Sequence, residues 1–474
     1  MFTKETYVSR RAGLLDRMKG ENGIILFIGN VDSPAQYREN CYKWRQDSNW
    51  LYYFGIDEPG FSAVIDIDSG EETVFADDPG LDDLIWTGPV ESVASMAATV
   101  GIDRTQPAAK LSWTIASAIM QGRKIHFLPA SRYYNAHRLG SLLGIEPDDT
   151  FRKGKSGCPS ASAPLVRAVI SMRLVKSDEE IDLLDKACIL GQEMHTVARK
   201  GIRIGRIEQE IVGEMEAVSL SKGWGVSFPT ILTQHGEIFH SHSHDLPLEA
   251  GRLLVVDAGV ESNDHYPSDF TRTYPVSGKF TQKQRDIYQT VFDCNELAFS
   301  LTKPGTAYYD VHRAVSRLML ERLSDLGLVH GNVDDMLECG VAGLFLPHGL
   351  GHNIGLDVHD MEDLGENLVG YDPDQQRSSH LGLGSLRMAR RLVPGNVISD
   401  EPGIYFIPAL IEDWKKNGTD KGFVNYSALE KYYDFGGIRL EDDVLVTENG
   451  ARRLGGERLP ISPDEVETAM ANDR

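Results

Sequence analysis

Apolar positions recur at helical spacing through residues 1–20, and the unbroken apolar run at 23–28 (GIILFI) has the length of one buried strand. Residues 61–76 read as two strands around the turn Asp68-Ser69-Gly70, and 124–129 as another. The first third is therefore expected to be an α/β domain. Residues 154–164 (GKSGCPSASAP) are small, polar and proline-bearing, as exposed interdomain connections are, which places a boundary near residue 160 and divides the chain into 1–160 and 161–474. Beyond it, Ser177-Asp178-Glu179-Glu180 fits a capping box, and Ile181, Leu183, Leu184 and Ala187 continue at helical spacing. A long helix should start there. Farther on, 253–260 (LLVVDAGV) and 268–276 (SDFTRTYPV) read as strands joined by a polar turn at 262–264.

Length and composition agree with a globular chain: 474 residues exceed the usual single-domain size, so two domains are expected. A formal net charge of −22, from 70 acidic against 48 basic residues, argues against a nucleic-acid or anionic-membrane partner. The first residues are charged where a signal peptide needs an apolar core, and no run approaches the roughly 18 apolar residues of a spanning helix. The expected compartment is the cytoplasm. Five scattered cysteines without a C-x-x-C pair point to reduced thiols and neither to a disulfide framework nor to a thiolate metal site.

The chemistry is concentrated between residues 240 and 441, where His240, Asp257, Asp269, His352, Glu401 and Glu441 each lie in a short apolar or glycine-marked segment. Four carboxylates brought together cannot all stay ionised unaided, because neighbouring like charges push protons back on. Two divalent cations would balance them. Asp257 follows four apolar residues, and a buried carboxylate is costly unless paired or metal-bound. Asp257 and Asp269 face each other across an antiparallel hairpin if its turn centres on Asn263. The segment at 346–360 (LPHGLGHNIGLDVHD) adds His348, His352 and His359, interleaved with glycines that allow close backbone approach. Arg439 and Glu441 share a strand face by the period of two, so Arg439 can orient acidic ligands. Asp442 and Asp443 read as a solvated acidic edge.

VVDAG with SDFTRT, PHGLGH with VHD, EPGIY and IRLED resemble, in order, the metal and substrate motifs of the pita-bread metallopeptidases, peptidase family M24, over residue 165 to the end. WRQDSNWLYYFG at 44–55 resembles the N-terminal domain that the prolidase and aminopeptidase P branches share. The resemblance implies an α/β N-terminal domain, an α+β pita-bread catalytic domain, and a homodimer. It implies Asp257, Asp269, His352, Glu401 and Glu441 as ligands of two divalent ions, with Mn²⁺ the expected metal, and Glu401 as the base that takes a proton from the attacking water. His240 and His359 match the histidines that hold the substrate and the tetrahedral intermediate. His348 matches a supporting histidine.

The implied substrate is a peptide with proline at the second position. Leu386-Arg387-Met388-Ala389-Arg390 resembles the L-R-x-x-R of prolidases, which makes Arg387 the residue that reads a dipeptide's C-terminal carboxylate. Xaa-Pro dipeptidase is the preferred reading, with Xaa-Pro aminopeptidase next and a non-catalytic binding module of the same fold as the remote rival. Two departures stand out. Asp257 and Asp269 are twelve apart where the family has eleven, so the connection needs a bulge or a three- or five-residue turn, with Asp264 the substitute ligand if the pairing shifts. Asp400 precedes Glu401 where relatives carry Val or Ile, and strand alternation points it away from Glu401. Residues 361–384 read as a polar, insertion-bearing loop with the look of a lid.

Overall fold

The computed structural model describes residues 2–473, which form two compact units: 2–173 with 361–369, and 174–360 with 370–473. In the first unit, Lys4–Arg17 is a helix whose N-cap Thr3 accepts from the Thr6 N–H. The apolar run becomes the strand Ile24–Ile28, which pairs antiparallel with Ser62–Asp66 and parallel with Ile125–Phe127. Glu72–Phe75 and Thr105–Gln106 extend the sheet to five strands. Ile24 and Leu26 face a core with Val64, Phe75, Leu111, Ile115, Phe127 and Leu139. Phe27 points the other way, onto Tyr53 and Phe54 of the helix Ser48–Phe54, as the strand period of two requires. The small polar stretch at 154–164 lies inside this unit and runs into the helix Ala163–Arg173.

The second unit opens with the helix Asp178–Gly201, started by the Ser177/Glu180 capping box. It packs with Glu208–Leu220, and Gln282–Leu301 packs with Tyr308–Asp325, around a large apolar core that includes Leu254, Val256, Ile287, Val291, Met319 and Leu344. Leu253–Ala258 is the central strand of a sheet, flanked by Ile231–Thr233 and Phe270–Pro275. A second sheet places Asp442–Thr447 between Val397–Asp400 and Gly450–Arg453. Gly403–Tyr405 pairs with Gly437–Arg439. Single bridges, Thr271 to Glu441 and Asn353 to Ile398, tie these pieces together where the site residues gather.

The hairpin register differs from an arrangement centred on Asn263. Asp257 stands opposite Thr271, and Ala258 opposite Phe270, so the turn centres on Asp264. Ser262 N–H donates to the Tyr266 carbonyl, leaving 263–265 as a three-residue loop whose last residue, His265, has φ 65°. The odd spacing is absorbed in this loop. Left-handed backbone at a non-glycine residue is costly, and the His265 ring is held there by the Glu261 carboxylate at 2.8 Å. Asp269 thus lies diagonally from Asp257 on the same face. Asp264 sits in the loop and is not part of the cleft lining.

Candidate active site

A cleft of about 730 Å³ in the second unit is lined by His240, Asp257, Asp269, His348, His352, His359, Arg387, Glu401, Arg439 and Glu441. Every candidate residue named from sequence except the substitute ligand Asp264 thus lines one cavity. Its remaining wall is largely apolar, with Phe228, Pro229, Ile231, Ile238, Phe239 and Val358. Among the described residues, Asp269, His352 and Glu441 bring one ligand atom each within 4.8 Å of one another, and all three are buried. His352 Nε2 lies 3.4 Å from Asp269 and 3.8 Å from Glu401.

The strands explain this convergence. Asp257 and Asp269 come from the hairpin. Glu401 follows the strand Val397–Asp400, with its N–H donating to the Leu350 carbonyl. His352 is fixed to the same strand, because its N–H donates to Ser399 Oγ and its carbonyl accepts from Ser399 N–H. Thr271 Oγ1 donates to Glu441 Oε2 at 2.6 Å and accepts from Arg439 Nε at 3.1 Å. Arg439 also donates to Asp257 Oδ2 at 2.5 Å and to the Tyr405 hydroxyl at 2.8 Å. That hydroxyl meets His348 Nε2 at 2.8 Å, and His348 Nδ1 lies 3.7 Å from Glu401. Tyr405 and Thr271 were not singled out from sequence; Thr271 lies two residues after Asp269 on the same extended segment, a readable parity, whereas Tyr405 lies on a separate strand from the segment before Glu401.

Electrostatics make the cluster strained. Burial raises Asp269, Glu401 and Glu441 above the usual carboxylate range; neighbouring carboxylates, Asp257 among them, add to the rise for Asp269 and Glu441, whereas at Glu401 His352 and Arg439 partly offset it. Burial, reinforced by Arg439, pushes His348 down to about 3, so it is neutral. Oδ1 of Asp257 and Oδ1 of Asp269 are buried without a hydrogen-bond partner among the described residues. Such acceptors are expensive unless something cationic meets them.

Residues 182–448 match the model of metallopeptidase family M24, and 7–126 that of the aminopeptidase P N-terminal domain. The chain belongs to metallopeptidase family M24. Among curated relatives, human Xaa-Pro dipeptidase is 30% identical over 94% of this chain and 88% of its own. A probable Xaa-Pro aminopeptidase of Aspergillus niger is 29% identical over 94% and 93%. Among solved structures, aminopeptidase PepP of Pseudomonas aeruginosa and a glutamate-to-alanine variant of Escherichia coli aminopeptidase P, in complex with substrate, align at TM-scores of 0.80 and 0.79. Each covers 100% of this chain and 99% of its own, at 27% identity.

This M24 enzyme therefore works with divalent metal ions, and its site fits them: hard carboxylate oxygens with one imidazole, two of the oxygens buried and unsatisfied. One sequence expectation fails beside the site. Asp442 and Asp443 are not a solvated edge but buried, at 2% and 0% exposure. Asp442 is held by Arg272, Arg453 and Arg458, whose charges outweigh its burial and pull its carboxyl well below the usual range. Asp443 lacks that cage, and burial pushes it up to about 7 while its Oδ2 accepts from the Asp269 N–H at 2.9 Å. Asp400 is buried opposite Asp442, with neither carboxylate oxygen hydrogen-bonded among the described residues. Burial, then Asp442, raises its carboxyl well above the usual range.

Proposed function

We propose that this chain is an Xaa-Pro dipeptidase using two divalent ions, with Mn²⁺ the working metal. The observation that carries the dipeptidase choice is Arg387 lining the same cleft as the carboxylates and histidines. A guanidinium there matches the free carboxylate of a C-terminal proline, which a longer peptide does not offer. Asp257, Asp269, His352, Glu401 and Glu441 hold the ions, which when bound supply an activated water and polarise the scissile carbonyl. Glu401, its carboxylate raised mainly by burial, takes the proton from the attacking water. His240 and His359 hold the oxygen that gains charge as the carbonyl carbon becomes tetrahedral. His348 and Tyr405 steady Glu401 and Arg439, and Arg439 keeps Asp257 oriented. We place the catalytic domain at 161–474 after an N-terminal domain at 1–160, and expect a cytoplasmic homodimer; the five free cysteines suit that compartment.

Aminopeptidase P is the second reading, favoured by the solved relatives, one of which is a complex of the Escherichia coli enzyme with the inhibitor Pro-Leu. Purified protein with Mn²⁺ is assayed on Gly-Pro or Ala-Pro and on an Xaa-Pro-Xaa tripeptide. Hydrolysis of the dipeptide is expected, and hydrolysis of only the tripeptide would replace the dipeptidase reading by aminopeptidase P. Arg387→Ala is expected to lower kcat/KM for the dipeptide by about 10- to 100-fold, the worth of one charge-assisted contact, and to affect tripeptide turnover less. Equal loss on both substrates counts against the carboxylate-reading role.

A further inference from the structure

The loop at 352–360 carries two of the site histidines, and their rings, His352 and His359, lie 3.9 Å apart at 33°. Its first half is tied to the strand Val397–Asp400: Ile354 N–H donates to the Val397 carbonyl, and Asn353 bridges Ile398. Its second half ends at Asp360. That N–H closes the loop on the Asn353 carbonyl at 2.9 Å, and Asp360 Oδ1 accepts from the Asp357 N–H at 3.3 Å. Asp360 Oδ2 meets Lys176 Nζ at 3.3 Å, with both side chains 1% exposed. Lys176 is itself anchored, because its N–H donates to the Gly395 carbonyl one residue before Ser177 caps the long helix. The loop backbone presses on this carboxylate so closely that a Cβ at Gly355 would stand 2.3 Å from Asp360 Oδ2.

A fully buried ion pair adds little stability over an apolar pair of the same volume, since desolvating both ions offsets their attraction. Its use is geometric. We infer that Lys176 and Asp360 form a buried strut that sets the position of His359, and so act as positioning residues for the reaction proposed above, on which the inference rests. His352 has separate anchors on Ser399, so the strut acts on the His359 end of the loop.

Asp360→Asn keeps an acceptor for the Asp357 N–H and removes the charge. In the metal-loaded protein it is expected to lower kcat on an Xaa-Pro dipeptide by about 10- to 100-fold, as loss of an outer partner does, with KM changed less than about threefold. The double variant Lys176→Met/Asp360→Asn removes both charges of this pair together. It should regain the thermal stability lost in Asp360→Asn but not kcat. Histidine-ring NMR of the metal-free protein reads position without turnover: Asp360→Asn should displace the His359 resonances and leave in place those of buried His195, which is held separately by the Ala258 carbonyl. Restored kcat in the double variant, or unmoved His359 resonances in Asp360→Asn, overturns the strut. A wild-type protein that cleaves neither substrate overturns the functional reading instead, and displaced His359 resonances would still support the strut.

Discussion

Asp442 and Asp443 stand side by side in one strand and carry opposite electrostatic roles. Three arginines, Arg272 from the hairpin, Arg453 from the adjacent strand and Arg458 just beyond it, converge on Asp442, whereas among the described residues the Asp443 carboxylate meets the Asp269 N–H and the Cys188 thiol. Removing one partner from a buried ionic cluster leaves the others uncompensated, so Asp442→Asn is expected to cost about 3–5 kcal/mol in urea unfolding of the metal-free protein. Asp443→Asn should cost less, under about 2 kcal/mol, because burial already favours its neutral form and an amide oxygen can accept the Asp269 N–H. Equal losses would show that the arginine cage contributes nothing specific to Asp442. This pair was misread from sequence because a short acidic run normally faces water, and nothing local announces that Arg272, Arg453 and Arg458 fold onto it. Arg439 was legible for the opposite reason: its relation to Glu441 is a matter of strand period alone.

The element that organises the metal ligands is the hairpin, and its register rests on Gly259 and on the loop at 263–265. Gly259 stands between two paired segments where an added Cβ would lie 1.8 Å from the Ser268 carbonyl oxygen, so the strands cannot approach with any larger residue there. Gly259→Ala is expected to push the strands apart beside Asp257 and Asp269. Divalent-ion binding, measured by calorimetry, should weaken by about 10-fold or more, the scale of losing a supporting contact. Unchanged affinity would mean that the diagonal placement of the two aspartates does not depend on this close approach. The existence of both strands and the need for an odd loop were readable from the chain. Which residue faced Asp257 was not, since moving the turn from Asn263 to Asp264 changes the partner while the hydrophobic pattern stays almost the same. The shift matters, because it sets Thr271 opposite Asp257, where its hydroxyl serves both Arg439 and Glu441.

Across the whole molecule the carboxylate cluster couples folding to metal and pH. Asp269, Glu401 and Glu441 have raised values in the metal-free fold, so between the ordinary carboxylate range and those values the folded state binds more protons than the unfolded one. Stability from these groups is present at low pH and is lost as pH rises through their folded values. Bound cations remove that penalty by favouring the ionised forms. The gain in melting temperature on adding Mn²⁺ to chelator-treated protein is therefore expected to grow from pH 5 to pH 8. A gain that shrinks over this range would contradict the assignment of these carboxylates as ligands. Buried His195 and His312, both lowered to about 4 chiefly by burial, act oppositely, losing stability as pH falls below their unfolded value. They affect both forms alike and cancel in the difference. From sequence alone came the α/β character of the first third, the helix capped at Ser177 and the two strands that carry Asp257 and Asp269, because local periodicity and capping carry these; the α+β catalytic domain, the five ligand motifs and Arg387 came from the resemblance of motifs in their order along the chain. Only the tertiary structure decided the hairpin register, the charge states of Asp400, Asp442 and Asp443, the bonds that Tyr405 and Thr271 make, and the Lys176–Asp360 contact. Each depends on which distant side chain is buried against which, and the energy of a buried charge is set by that neighbour and not by its place in the chain.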